Sequence, residues 1–329
     1  MLNDSRWPKL NGHSEPWVNA IARGLRHESH SLTSVDSENR LQGVLPLLHV
    51  RSPFFGSFLV SLPYLNTGGV WADDPSIATQ LVDQAVALAD RLNVKHLELR
   101  HEVRLDHPRL TQERTDKVHM RLALPTTADQ LLTGFKSKLR SQIKKSGEQG
   151  LDVQFGGVAL LAEFYSVFAV NMRDLGTPVY SKRLFHSILQ SFGEDAELCV
   201  VRKDGRAISA SLLIHYPGLT EVPSASSQRK FGTLGANMWM YWHLLQRAIE
   251  RGSVTFDFGR SSEGSGTYKF KEQWGAKPFP ACWQYYVRQG SPADMRPDSP
   301  KKKKLIEMWS KLPVWVTKII GPAIVRGIP

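Results

Sequence analysis

Asp257, Phe270 and Lys271 lie in one stretch, Val254-Thr-Phe-Asp-Phe-Gly-Arg-Ser-Ser-Glu-Gly-Ser-Gly-Thr-Tyr-Lys-Phe-Lys-Glu-Gln-Trp-Gly-Ala276, which joins a carboxylate, a glycine-serine loop and an aromatic-lysine segment. A carboxylate and an ammonium set around a flexible loop are groups that orient substrates, move protons and hold negative charge. Val254, Phe256 and Phe258 alternate with Thr255 and Asp257. This predicts a strand that turns its apolar side to the core and presents Asp257 on the other face, at the strand's end. Gly259, Gly264 and Gly266 permit turns that side chains forbid. Thr267 is placed to cap a short helix carrying Phe270 and Trp274 four residues apart, with Lys271 pointing off that stripe.

Other chemistries lack their residues. Gly259-Arg-Ser-Ser-Glu-Gly264 has no P-loop lysine and is not a G-x-S-x-G nucleophile elbow. The eleven histidines show no metal spacing, because His101-Glu102 is followed only by His107, so no metal site is expected. Cys199 and Cys282, the only cysteines, are too few for a disulfide framework and point to a reducing compartment. The net charge of +11 favours an anionic partner without choosing among tRNA, a nucleotide-sugar diphosphate and an acidic membrane.

The elements around this stretch follow from punctuation. Leu151 to Phe155 reads as a strand, Leu160 to Met172 as an amphipathic helix, and Ser181 caps a second helix to about Phe192. Two strands, Leu198 to Arg202 and Ala207 to Tyr216, flank the Lys203-Asp204-Gly205 hairpin turn. A third runs from Leu219 to about Ser226, followed by a helix from Ala236 to Arg251, the strand ending at Asp257, and a strand from Cys282 to Val287. This order is that of the GNAT acyltransferase fold. The first half repeats its later part, with strands near Gly43 to Val50 and Phe58 to Leu62, a helix from Pro75 to Leu92, and strands at His96 to Arg100 and Val118 to Leu124. A connecting helix, roughly Thr127 to Gln149, puts Leu132, Phe135, Leu139 and Ile143 on one face. Lys136, Arg140 and Lys144 fall on another, either a solvated basic face or a phosphate or tRNA contact centred on Arg140.

The glycine pattern separates donors. CoA-dependent GNAT enzymes cradle pyrophosphate with a G-x-G/A loop at a helix start, whereas Gly232 and Gly235 in Gln228-Arg-Lys-Phe-Gly-Thr-Leu-Gly-Ala-Asn237 are one residue too far apart.

Nearly the whole chain resembles the FemAB family of aminoacyltransferases, and most closely its exosortase (PEP-CTERM) and exopolysaccharide-associated members. The segments that carry this are Gly43-Val-Leu-Pro-Leu47, Phe55-Gly56, Leu59-Val-Ser-Leu-Pro63 with Gly68-Gly69, Lys138-Leu-Arg140 with Ile143 and Gly150-Leu151, and Asn171-Met-Arg-Asp-Leu-Gly-Thr-Pro178. Asn237 with Tyr241-Trp242, Asp257-Phe-Gly-Arg-Ser261, Phe270-Lys271 and Trp274-Gly-Ala276 complete them. The resemblance implies an α/β (α+β) fold of two tandem GNAT-like units with mixed, largely antiparallel sheets, assigned here to 1–125 and 126–290, with a basic amphipathic tail over 291–329. It implies transfer of an acyl, specifically aminoacyl, group to an amine of an envelope or exopolysaccharide precursor. No tightly bound cofactor is expected; aminoacyl-tRNA or acyl-CoA would serve as donor substrate. By resemblance, Lys271 stabilises the tetrahedral intermediate, Phe270 positions the reacting ends and Asp257 orients or deprotonates the amine. Arg140, Arg173, Asp174, Arg260 and Tyr268 bind substrate, and Arg260 is alternatively the partner of Asp257. The long heptad insertion of the peptidoglycan enzymes is missing. CoA-dependent acetylation and a catalytically idle polymer-binding module remain the alternatives.

Lys301 to Lys304 precede Leu305-Ile306, Met308-Trp309, Leu312, Val314-Trp315-Val316 and Ile319-Ile320. This pattern suits a segment lying on an anionic bilayer or packing back on the catalytic unit, and Pro313 and Pro322 are expected to break it. Met1 to Leu10 holds no apolar run of a secretory signal, so the expected location is cytoplasmic, peripheral to the inner face of the membrane through residues 301–329.

Overall fold

The computed structural model describes residues 11–291 and 300–328. Residues 1–10, read above for a secretory signal, and the beginning of the tail, 292–299, lie outside them. The described chain falls into two units, 11–117 with 280–291, 300–303 and 322–328, and 118–279 with 304–321.

The first unit contains α1 (Glu15–Leu25), β1 (Glu28–Ser29), β2 (Leu32–Val35), β3 (Leu41–Leu45), β4 (Leu48–Ser52), β5 (Gly56–Val60), β6 (Trp71–Ala72), α2 (Pro75–Arg91), β7 (His96–His101) and β8 (Gln112–Arg114). The single strand expected from Gly43 to Val50 is two strands in different sheets. Pro46 cannot donate to a ladder and separates β3, in the sheet β2-β3-β6, from β4, in a six-stranded sheet. That larger sheet runs β1-β4-β5-β7, then Cys282–Val287, then β8. The strand Cys282–Val287 was placed by sequence order with the second unit. It pairs instead with β7 and β8, where Trp283 and Tyr285 are buried on the face that carries His96, Glu98 and Arg100 while Tyr286 packs against the core under α2. Asp74 caps α2 by accepting from the Ser76 amide at 2.7 Å, and α2 buries Leu81, Val82, Ala85 and Ala89 against Leu45, Leu59, Leu97 and Leu99.

The second unit is built from β9 (Val118–Ala123), α3 (Ala128–Gly134), α4 (Ser137–Gly147), β10 (Leu151–Gly156), α5 (Leu161–Asp174), α6 (Lys182–Phe192), β11 (Ala196–Lys203), β12 (Arg206–Tyr216), β13 (Leu219–Ser227), α7 (Ala236–Glu250), β14 (Thr255–Ser261), α8 (Gly266–Glu272) and β15 (Lys277–Pro280). After β16 (Cys282–Val287) in the first unit, α9 (Pro300–Ser310) and α10 (Val314–Val325) close the chain. The sheet order is β10-β11-β12-β13-β14-β9-β15. Most of the second-half plan is as expected, down to the hairpin turn at Asp204 (φ 49°) and Gly205 (φ 74°). β9, expected in the first half, pairs with β14 here.

Three local expectations change. The connecting helix is two helices, because Phe135 turns extended (φ −73°, ψ 150°) to bury its ring against Trp242 and Trp274. Thr127 does cap the first of them, accepting from the Gln130 amide at 3.2 Å. The cap of α8 is Ser265, which accepts from the Tyr268 amide at 3.2 Å, rather than Thr267. Pro313 separates α9 from α10, but Pro322 sits inside α10, in its last turn, where a missing amide removes only one terminal bond.

Candidate functional site

The sheet of the second unit opens at Asp257. β13 and β14 are parallel partners only over Leu219–Glu221 and Thr255–Asp257. Beyond that point β13 stays with β12 while β14 follows β9, so the two strands part company and leave an opening between them. One wall is the serine-rich end of β13, where Ser226 accepts from Asn171 of α5 at 3.2 Å and Ser227 donates to Asn237 of α7 at 3.3 Å.

The other wall is a bulge. The register of β14 against β9 shifts between Asp257 and Arg260, with Gly259 at φ 76°. Asp257 fixes it: Oδ1 accepts from the Gly259 amide at 2.6 Å and Oδ2 from Nε of Arg121, its direct cross-strand neighbour, at 2.9 Å. The acid is buried, not presented to solvent at a strand end, and its cross-strand partner is Arg121. Val254 lies before the strand and is exposed, since the apolar side begins at Phe256.

Lys271 does not point away into solvent either. Only 8% exposed, it reaches from α8 into the bulge and donates to the Gly259 and Arg260 carbonyls, each at 3.0 Å. An ammonium has three hydrogens, so one is left beyond these two bonds. Burial pushes it down to about 8; the carboxylate of Asp257 pulls it up and the guanidinium of Arg260 pushes it further down. Ser261, next in sequence to Arg260, keeps a buried hydroxyl with no hydrogen-bond partner among the described residues. Phe270 packs edge-on to Tyr241 at 5.0 Å, and Tyr241 stacks on Phe258 at 5.5 Å, so the aromatic neighbour of Lys271 is held by the core while staying partly exposed. Tyr268, also half-buried, packs on the same core. This wall therefore combines a buried cation of lowered basicity, a fixed carboxylate and a partly open aromatic edge.

Arg173 and Asp174 lie elsewhere in the unit. They line a cleft of about 790 Å³ with Arg206, Gln228, Arg229 and Lys230, so cations outnumber acids along it. Arg173 donates to Asp174 at 2.6 Å and to the Leu312 carbonyl at 3.0 Å. Sequence reading missed Arg206, Arg229 and Lys230; the last two sit in the segment read only for its glycines. Gly235 there is explained by packing: it caps α7 at φ 65°, and a Cβ would strike the Ser146 hydroxyl of α4. Arg140, read either as part of a solvated basic face or as a phosphate or tRNA contact, is exposed and donates through Nη1 to the carbonyls of Thr133 (3.3 Å) and Phe135 (2.5 Å), capping the end of α3. A second, smaller groove of about 410 Å³ lies between that end and Glu272–Gly275.

In the first unit, pairing across β1 and β4 gathers Glu28, His30 and His49, a set of metal-ligand types that linear spacing did not reveal. Part of the set is engaged locally, while His49 Nδ1 and His30 Nε2 make no hydrogen bond among the described residues. His30 Nε2 stands 3.4 Å from one Glu28 oxygen, Arg51 donates to the other at 3.0 Å, and His49 Nε2 meets Ser57 Oγ at 2.7 Å. A cation would face Arg51.

Residues 133–272 match the acetyltransferase (GNAT) domain family, a span that holds both the opening and the cleft. Among solved structures, FemX shares 14% identity at a TM-score of 0.65, with 94% of this chain and 96% of that one covered. L-PGS from Bacillus licheniformis shares 12% identity at a TM-score of 0.51, with 94% and 97% covered. A conserved protein of unknown function from Bacteroides thetaiotaomicron shares 8% at 0.54, with 82% and 90% covered. At these identities the likeness is one of fold, and it extends over both units. No curated protein sequence matches the chain.

Proposed function

We propose that this protein is an acyltransferase of the GNAT fold that moves an aminoacyl group from an activated ester to an amine of a cell-envelope or exopolysaccharide precursor. The observation that carries the reading is Lys271, a buried ammonium held against the bulge at the point where β13 and β14 separate. The acceptor amine attacks the ester carbonyl, a C–N bond forms and the oxygen becomes an oxyanion. Collapse breaks the C–O bond, the amine proton is lost and the leaving alcohol gains one. The third N–H of Lys271 is a fixed donor for that oxyanion, acting where charge develops rather than on the ground state. Asp257, locked by Arg121 and Gly259, acts through the bulge as a positioning residue, and Phe270 offers its edge to the reacting ends. Arg173, Arg206, Arg229 and Lys230 suit the phosphates of a nucleotide-linked or lipid-linked precursor or of tRNA. Aminoacyl-tRNA is the preferred donor; in its favour, Gly232 and Gly235 are spaced one residue wider than a G-x-G/A loop, and the close approach of Ser146 gives Gly235 a packing role of its own. By resemblance, the acceptor belongs with exosortase-associated exopolysaccharide.

The deciding experiment supplies the purified protein with labelled aminoacyl-tRNA or labelled acetyl-CoA, together with a precursor extract from cells lacking the protein, and reads the mass added. Aminoacyl addition is expected. An acetyl mass would move the donor to CoA. Polymer binding without transfer from either donor would leave a non-catalytic module.

A further inference from the structure

The tail packs back and still leaves an apolar face bare. On the packed side, Ile306 of α9 presses against Gly176, Gly321 of α10 lies on Val179, and Thr317 is buried. Arg173 holds the turn between the helices through the Leu312 carbonyl, and Lys318 stands over the Tyr165 ring of α5 at 5.5 Å. On the other side Leu305, Met308, Trp315 and Ile319 are each between 62% and 68% exposed, with Ile320 beside them. Isolated exposed apolar side chains are ordinary, but five large ones on two short helices need a covering surface.

Charge says what covers it. Residues 300–328 carry Lys301 to Lys304, Lys311, Lys318 and Arg326 against one acid, Glu307, in a chain of net charge +11. Lys304 and Lys311 are exposed alongside the apolar residues. A second copy would bring two lysine-rich faces together, which like charge opposes. No helix among the described residues is long and apolar enough to cross a membrane, so the segment fits a surface rather than a span. We propose that the outer face of α9 and α10 docks the protein on an anionic lipid bilayer. Leu305, Met308, Trp315 and Ile319 enter the headgroup boundary, and the lysines meet lipid phosphates. Because Arg173 belongs both to the cleft wall and to the tail's anchorage, docking would hold the cleft at the bilayer, where a lipid-linked acceptor is presented.

The test is co-sedimentation of the full chain with sucrose-loaded vesicles of phosphatidylcholine, alone or mixed with phosphatidylglycerol. Wild type should prefer the anionic vesicles, with binding that weakens as salt rises. Combining Leu305→Ser, Trp315→Ser and Ile319→Ser removes exposed apolar groups only, and should cost at least about tenfold in partitioning with the melting temperature unchanged. Lys304→Gln with Lys311→Gln should cost about tenfold on anionic vesicles and nothing on neutral ones. Equal binding of either variant and wild type to anionic vesicles would overturn the proposal. So would equal wild-type binding to both vesicle types, or a wild-type dimer that the triple variant converts to monomer. None of these readouts depends on acyl transfer, so the tail and the reaction can fail separately.

Discussion

At the scale of the residue, Lys271 carries two obligations that experiment can separate. It satisfies two carbonyls released by the bulge, so Lys271→Met should lower the melting temperature, since each buried acceptor left unpaired costs about 1–3 kcal/mol. It should also reduce turnover of folded enzyme roughly a hundredfold, the effect of losing one oxyanion donor. The pH profile tells the roles apart. With its ammonium pushed down to about 8, Lys271 loses its proton in the folded state well before it would in the unfolded chain. Between these values the unfolded chain binds more protons, so the charged lysine's burial penalty is fully present below about pH 8 and is relieved as pH rises through it. Stability from this group therefore rises with pH while turnover falls, a divergence a purely structural lysine would not give. Lys271→Arg, which keeps its charge, should move the fall in turnover to higher pH, and an unchanged profile would remove the oxyanion role. The sequence pointed to Lys271 and Asp257 as neighbours of one loop. It could not show that both are buried, because the bulge burying them depends on Arg121, 136 residues away and adjacent only through strand register.

At the scale of the element, Asn171-Met-Arg-Asp-Leu-Gly-Thr-Pro178 was legible as a motif, while its meaning depended on a distant helix. The Gly176 amide bonds the Arg173 carbonyl at 2.9 Å and the Thr177 amide bonds Met172 at 2.9 Å, a helix stop that requires Gly176 at φ 69°. A Cβ there would come 2.7 Å from the Ile306 carbonyl, a backbone atom that cannot rotate aside. Gly176→Ala should thus destabilise by about 1 kcal/mol or more from the left-handed backbone alone. It should also displace α9, read as faster hydrogen exchange over 304–321 with little change in α6. Unchanged exchange there would mean that α9 is not seated on Gly176. Helices and hairpins with local signals, α2, α6 and the turn at Asp204-Gly205, were readable because caps and glycines act within a few residues. The break at Phe135 was not, because the aromatic rings that draw it inward come from α7 and the segment after α8.

At the scale of the whole molecule, the tandem plan was legible from the repeated order of elements, but the seams were not, since strand order in space is set by core completion rather than by position along the chain. β9 closes the second unit's sheet, and β16 fills the gap between β7 and β8 in the first. A fragment of residues 1–125 therefore lacks an interior strand, not an edge, and loses both the contact of Tyr286 with the core under α2 and the buried Trp283 and Tyr285 beside Glu98 and Arg100. It should fail to reach a cooperatively folded state, showing no sharp thermal transition. Adding a synthetic peptide spanning 280–291 should restore one if the missing strand is the cause. The cysteines report the same coupling in the intact chain, because Cys199 lies in β11 of one unit and Cys282 in β16 of the other. Burial pushes the Cys282 thiol up to about 11 and the Cys199 thiol higher still, so both should resist a thiol reagent at neutral pH until their own sheet opens. In a denaturant series, Cys282 should become reactive together with loss of structure in residues 28–117, whatever the fate of Cys199. If Cys282 reacted while β7 stayed protected from hydrogen exchange, β16 would be a peripheral strand and residues 1–125 would be expected to fold alone.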